Sequence, residues 1–182
     1  MFEAQDALNV GLTGGMGWLG CAAMSAHKHV LFVCTGNTCR SPMAEGLLRK
    51  AVAGRDDFKV SSAGVAASKG APVSRETLKA LAKRGAKLEN FRSRAVCDEI
   101  LEAATHVFAM TEGHLSALEA CFPHHSDKFF LVREFSGITD KREGLDVPDP
   151  IGMGPAAYEE VAKLLDAAIP SIIAYVDSVS GK

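Results

Sequence analysis

Apolar runs alternate along the chain with segments whose apolar residues recur every three or four positions. Val30-Leu31-Phe32-Val33 is a continuous apolar run, which predicts a buried strand over His29–Thr35. Pro42–Ala53 sets Met43, Leu47, Leu48, Ala51 and Val52 on one face and predicts a helix, with Ser41 as N-cap and Pro42 in the first helical position. Phe58–Ser62 reads as a second strand and Ser74–Arg84 as a helix closed by Gly85. A short helix over Cys97–Ala104, a strand over Thr105–Met110 and a helix over Glu112–Cys121 follow. Lys128–Val132 reads as strand four and Glu134–Gly154 as a long loop rich in Asp, Gly and Pro. Pro155–Val179 carries Val161, Leu164, Leu165, Ala168 and Ile172 at helical spacing, with Pro170 positioned to kink or divide the helix.

Strands and helices that alternate in this way predict an α/β fold: a four-stranded parallel sheet in a three-layer α/β/α sandwich. In such sheets ligands bind beyond the carboxyl ends of the strands. Cys34 lies at that end of the first strand. Residues 29–182 read as one domain. Residues 1–28 read as a poorly ordered extension, because Ala7–Ala23 is only mildly apolar, carries five glycines and has no basic segment before it. Cys21 and Trp18 fall there and receive no catalytic role.

Composition narrows the function. The chain has 182 residues, 47% hydrophobic and 23% charged, in the range of a single globular domain. A net charge of -2 with no cluster of basic and aromatic residues argues against a nucleic-acid surface, and no span is long and apolar enough to suggest a membrane partner. Five cysteines at irregular spacing suggest neither a disulfide framework nor a metal site. A cytoplasmic, monomeric protein is expected.

The chemistry is concentrated in Cys34-Thr35-Gly36-Asn37-Thr38-Cys39-Arg40-Ser41, at the turn from strand to helix. A thiol, five residues and an arginine in that position form a cradle for an oxyanion with a nucleophile at its floor. Backbone N–H groups from Thr35 to Arg40 can converge on phosphate oxygens, and the dipole of the following helix favours the charge. Gly36 is expected to supply a positive φ in the nest. Arg40 offers a planar fork for two phosphate oxygens. The positive surroundings favour the thiolate of Cys34, to which Ser41 can donate a hydrogen bond, while Asn37 braces the loop.

Val33-Cys34-Thr35-Gly36-Asn37-Thr38-Cys39-Arg40-Ser41-Pro42-Met43-Ala44-Glu45 resembles the signature of the low-molecular-weight protein tyrosine phosphatases. Ser61-Ser62-Ala63-Gly64 resembles the family's segment after the second strand, and Asp146-Val147-Pro148-Asp149-Pro150 its acid loop. The resemblance covers roughly residues 29–178. It implies a flavodoxin-like fold, no metal, no organic cofactor, and a phosphorylated protein as substrate. It also assigns Cys34 as nucleophile, Arg40 as phosphate binder and Asp149 as general acid. Thr35, Gly36, Asn37, Thr38, Cys39 and Ser41 would line the substrate site, with Ser62 supporting Asn37. Asp146 is read as a loop anchor. Glu45 matches the family, but Phe91 stands where a histidine partner would be expected.

Two features bear on the substrate. Thr38 resembles the protein arginine phosphatase subgroup, where many phosphotyrosine-specific members carry a larger aliphatic residue. Ile151-Gly152 follow the Asp-Pro pair with no aromatic residue to sandwich a phenyl ring. Phosphoarginine is therefore favoured over phosphotyrosine. Cys39 resembles the second thiol with which the family traps an oxidised nucleophile as a disulfide. An arsenate reductase is the rival enzyme, but the cysteines it needs after strand three are missing; a non-catalytic phosphate-binding module is the rival outside enzymology. His106, His114, His124 and His125 lack metal spacing and are read as structural or exposed.

Overall fold

The computed structural model describes residues 28–137 and 144–179. The proposed extension, Cys21 and Trp18 therefore lie outside the described residues, except that Lys28 opens the first strand.

Four parallel strands, β1 (Lys28–Cys34), β2 (Phe58–Gly64), β3 (His106–Ala109) and β4 (Phe129–Leu131), lie in the order β2-β1-β3-β4. Helices α1 (Arg40–Ala51), α2 (Arg75–Lys83), α3 (Asp98–Ala103), α4 (Glu112–Cys121) and α5 (Gly154–Val179) connect and cover them. Alternation along β1 assigns the two faces. Val30, Phe32 and Cys34 point into a core completed by Met43, Leu48, Leu81, Leu165 and Ile172 of α1, α2 and α5. Leu31 and Val33 point the other way, against Leu101 of α3 and Leu118 of α4. The result is the expected three-layer α/β/α sandwich.

The strands are buried on both faces, which explains the unbroken apolar run in β1. The rings of Phe32 and Phe108 sit 5.8 Å apart at the centre of the sheet, both fully buried. Truncating either to alanine would cost about 3–5 kcal/mol. At the opposite end from the cradle, Lys28 pairs with Asp57 at 2.9 Å and with Asp177 at 2.6 Å, so α5 is tied to the start of β1. Arg55 joins both carboxylates, and these hydrogen bonds hold Asp57 and Asp177 well below the usual carboxylate range.

Several local expectations are corrected. α1 begins at Arg40 with Cys39 as N-cap, not with Ser41. The hydroxyl of Ser41 faces Cys34 instead of the helix end, and the backbone N–H of Met43 bonds the Cys39 carbonyl at 3.1 Å. Two short 3₁₀ segments, Pro123–Lys128 and Val132–Phe135, flank β4 where the sequence suggested a loop and a longer strand. α5 continues through Pro170, which lies exposed while Ile169 and Ile172 hold the helix to the core on either side.

Candidate active site

The cradle, residues Cys34–Arg40, leaves β1 at its carboxyl end and turns directly into α1. Its shape depends on Asn37, which is fully buried with φ 53, in the left-handed region that few residues other than glycine tolerate. The positive φ expected at Gly36 is thus found one residue later. Three hydrogen bonds hold Asn37 there. Its amide donates to Ser41 Oγ at 3.0 Å and to Ser62 Oγ at 2.8 Å, and its Oδ1 accepts the backbone N–H of Arg94 at 3.0 Å. Both amide protons are therefore used, which also fixes which end of the side chain is nitrogen.

Ser41 carries this bracing to Cys34. Its oxygen accepts from Asn37, so its own proton is available to Cys34 Sγ, 3.0 Å away, or to the Ala63 carbonyl at 3.3 Å. Ser62 accepts from Asn37 and donates to Glu45 Oε2 at 2.5 Å. Glu45 in turn meets Arg49 at 2.5 Å. Burial pushes the Glu45 carboxyl up, against the opposing effects of the Ser62 hydroxyl and the Arg49 charge. Arg49 thus meets Glu45 in a chain that has Phe91 in place of the expected histidine. A cleft of about 410 Å³ opens beside this pair, walled by Phe91, Lys59, Arg92 and Arg94.

The cradle is also held from below and from the side. Gly64, paired with Cys34 across the sheet, passes so close that a Cβ there would stand 2.4 Å from the Thr35 carbonyl oxygen and 3.0 Å from the Asn37 nitrogen. The Thr38 carbonyl accepts the N–H of Ser74, the N-cap of α2, at 2.9 Å. Thr38 itself is half-buried, its hydroxyl 3.7 Å from Cys39 Sγ.

The loop that carries Asp149 closes the site. Arg40 is 6% exposed and reaches out of the cradle to Asp149, with Nη2 donating to Oδ2 at 2.8 Å, and to the Val147 carbonyl at 3.3 Å. The guanidinium fork expected to face phosphate thus also clasps this loop. Asp149 Oδ1 accepts the N–H of Ile151 at 3.2 Å, an Asx turn that orients the carboxylate. Asp146 Oδ1 accepts the N–H of Glu112 at 2.7 Å and so pins the loop to the start of α4. Beyond Asp149, Ile151 and Met153 are 62% and 70% exposed.

Two residues belong to this constellation that the sequence reading passed over. Tyr158, assigned only to the closing helix, places its hydroxyl 3.3 Å from Cys39 Sγ; burial, with the Cys39 contact adding, pushes the phenol up. His114, read as structural or exposed, is buried with Nε2 2.8 Å from Thr35 Oγ1. Burial and the charge of Arg40 push it down to about 4. The available sequence signal for His114 was its position three residues after the N-cap Thr111, which points it back toward the carboxyl ends of the strands. A nucleophile on a hydrogen-bonded floor, a guanidinium at the wall and a carboxylate at the mouth can together perform displacement at phosphorus with proton delivery to the leaving atom.

Comparisons with known proteins identify relatives of this chain. The family model described as low molecular weight phosphotyrosine protein phosphatase matches residues 29–180. A protein-arginine-phosphatase of Geobacillus stearothermophilus is 41% identical over 143 residues, covering 75% of this chain and 90% of that protein. A protein-arginine-phosphatase of Bacillus subtilis is 37% identical over 139 residues, covering 75% of this chain and 89% of that protein. The crystal structure of a low molecular weight protein tyrosine phosphatase from T. tengcongensis superposes with a TM-score of 0.74 at 39% identity, covering 81% of this chain and 99% of that one.

Proposed function

This chain belongs to the low-molecular-weight phosphotyrosine protein phosphatase family, and we propose that it hydrolyses phosphorylated proteins through a cysteinyl-phosphate intermediate, with phosphoarginine as the preferred group. The observation that carries the mechanism is the 2.8 Å contact joining Arg40 and Asp149 at the mouth of a cradle whose floor is Cys34.

The Cys34 thiolate attacks phosphorus while Ser41 donates to the sulfur. Arg40 and the backbone N–H groups of the cradle hold the three phosphoryl oxygens. As the P–N or P–O bond breaks, Asp149 gives its proton to the departing nitrogen or oxygen. A water then attacks the thiophosphate, Asp149 takes its proton, and phosphate leaves with the thiolate restored. Thr35, Gly36, Thr38 and Cys39 complete the wall, and Asn37 and Ser62 keep it in shape.

Support for phosphoarginine comes from the pocket wall. Thr38 places a small polar side chain beside the leaving group, and the exposed residue two past Asp149 is the aliphatic Ile151. Nothing in that loop offers a ring to stack on a phenyl group. The relatives from Geobacillus and Bacillus carry the name protein-arginine-phosphatase. The protein is further read as a cytoplasmic monomer without metal, cofactor, nucleic-acid or membrane partners; among the described residues no helix is long and apolar enough to cross a membrane.

The test compares kcat/KM for phosphoarginine and phosphotyrosine peptides in the native chain and in Thr38→Ile. Phosphoarginine should win in the native chain, and Thr38→Ile should move the ratio toward phosphotyrosine. A native preference for phosphotyrosine that the substitution leaves untouched would defeat the substrate assignment.

A further inference from the structure

We propose that His114 is a positioning residue for the cradle, holding the Thr35 hydroxyl so that its proton is presented at the rim to an oxygen of the phosphorylated substrate. This deepens the phosphatase reading above and rests on it.

The hydrogen-bond inventory sets the direction of the chain. Thr111 is the N-cap of α4, and its Oγ1 accepts the backbone N–H of His114 at 3.1 Å. The same oxygen stands 2.8 Å from His114 Nδ1. A hydroxyl that accepts from the backbone still has one proton to give, and among the described contacts of Thr111 Oγ1 the acceptor is Nδ1. On this assignment Nδ1 is the bare ring nitrogen, and the proton of the neutral imidazole sits on Nε2. Nε2 stands 2.8 Å from Thr35 Oγ1, so it donates and the threonine oxygen accepts.

That leaves Thr35 with one hydroxyl proton and a fixed oxygen. Thr35 is exposed, at the second position of the cradle. The opposite tautomer would leave the Thr111 proton without an acceptor among the described residues and turn the Thr35 proton inward, away from the substrate. Neutrality is enforced by the surroundings, since burial and the Arg40 charge outweigh the carboxylates of Asp146 and Asp149 and hold the ring at about 4. The relay runs from the N-cap of α4 through Thr111 and His114 to Thr35, each link polarising the next. A bound phosphoryl group offers only acceptors, so a donor at the rim is the complementary group.

The test has two arms. Nitrogen-15 NMR of the full chain at neutral pH should show His114 with the proton on Nε2; a ring protonated on Nδ1 overturns the proposal. In kinetics, Thr35→Val should lower kcat/KM about tenfold, the usual effect of losing one hydrogen bond to a charged group. His114→Leu should lower it by a similar factor, and His114→Gln, whose amide can donate to Thr35, should recover part of the rate. The double variant Thr35→Val with His114→Leu should lose no more than either single variant, because the two act as one unit. Additive losses overturn the proposal. If His114→Leu does not fold, Thr35→Val decides, and an undiminished kcat/KM there overturns it. Absence of phosphopeptide turnover in the native chain would instead defeat the phosphatase reading, and turnover that survives Cys34→Ser its covalent mechanism, each leaving the tautomer result standing.

Discussion

Arg40 Nη2 and Asp149 Oδ2 meet at 2.8 Å although 109 positions separate them in the chain. One residue opens α1 and the other sits in the loop before α5. Their contact brings the group proposed to hold phosphate oxygens to the group proposed to protonate the leaving atom. The Asp149 side chain is 47% exposed, so in the proposed acid role its proton would exchange with solvent between turnovers.

Asp149→Asn keeps the shape of the loop and removes the transferable proton. Turnover of substrates with poor leaving groups should fall on the order of 10²–10⁴-fold. An activated aryl phosphate should lose far less, because its leaving group departs without help. Steady-state kinetics across a series of leaving groups checks this; equal losses along the series would remove Asp149 from the acid role.

Asn37→Ala removes the partner of Ser41, Ser62 and the Arg94 N–H at one stroke, and leaves a φ of 53 on a residue that disfavours it. The expected cost is about 2–4 kcal/mol, from the unsatisfied buried groups and the backbone strain together. Denaturant unfolding should register it, and kcat should drop as the cradle loses its shape. Unchanged stability would mean that the brace relaxes onto other partners.

Gly64→Ala tests the close approach of β2 to the cradle. The added Cβ would press on the Thr35 carbonyl and the Asn37 nitrogen, both backbone atoms that cannot swing aside. A displacement of about 1 Å in the cradle should lower kcat/KM by about 10²-fold. Gly36→Ala is the useful comparison, because its Cβ would meet nothing nearer than Thr38 Oγ1 at 3.7 Å. A larger loss in Gly36→Ala than in Gly64→Ala would contradict the packing argument.

Stability should fall as the solution is acidified below neutrality. His114 binds its proton at about 4 in the folded state against an ordinary value of 6.5. The unfolded chain therefore takes up the proton first, so the contribution is fully present above 6.5 and is lost as pH falls toward 4. The whole effect is about 3 kcal/mol. His29 and His106, both lowered by burial, act in the same direction. Glu45 is raised by burial and has the opposite sign: its contribution is present below its ordinary value of 4.5 and is lost as pH rises through the window above it. Melting temperatures of the native chain and His114→Gln between pH 7.5 and 5 should converge at the acid end. Parallel curves would show that His114 is not the group that titrates.

The three-layer sandwich was legible because the central strand β1 is buried on both faces and leaves an unbroken apolar run, while helices such as α5 leave a periodic one. The seven residues of the cradle were legible because thiol, arginine and turn are contiguous. The start of α1 and the site of positive φ were misplaced by one or two residues. Serine at a helix start usually caps, and glycine usually takes the left-handed conformation. Here the Ser41 hydroxyl is committed to Cys34 and Asn37, and Ser41 together with the distant Ser62 and Arg94 holds Asn37 in the left-handed conformation.

By itself, then, the sequence determined what is local: the elements, their faces, and a thiol and an arginine with five residues between them at one turn. Tertiary structure decided what that loop is joined to. Asp149 reaches Arg40, Tyr158 reaches Cys39, and His114 reaches Thr35 only because parallel strands deliver their carboxyl ends to one edge of the sheet. Such contacts leave no periodic trace in the chain, since each depends on the distance between two side chains and not on their spacing in sequence.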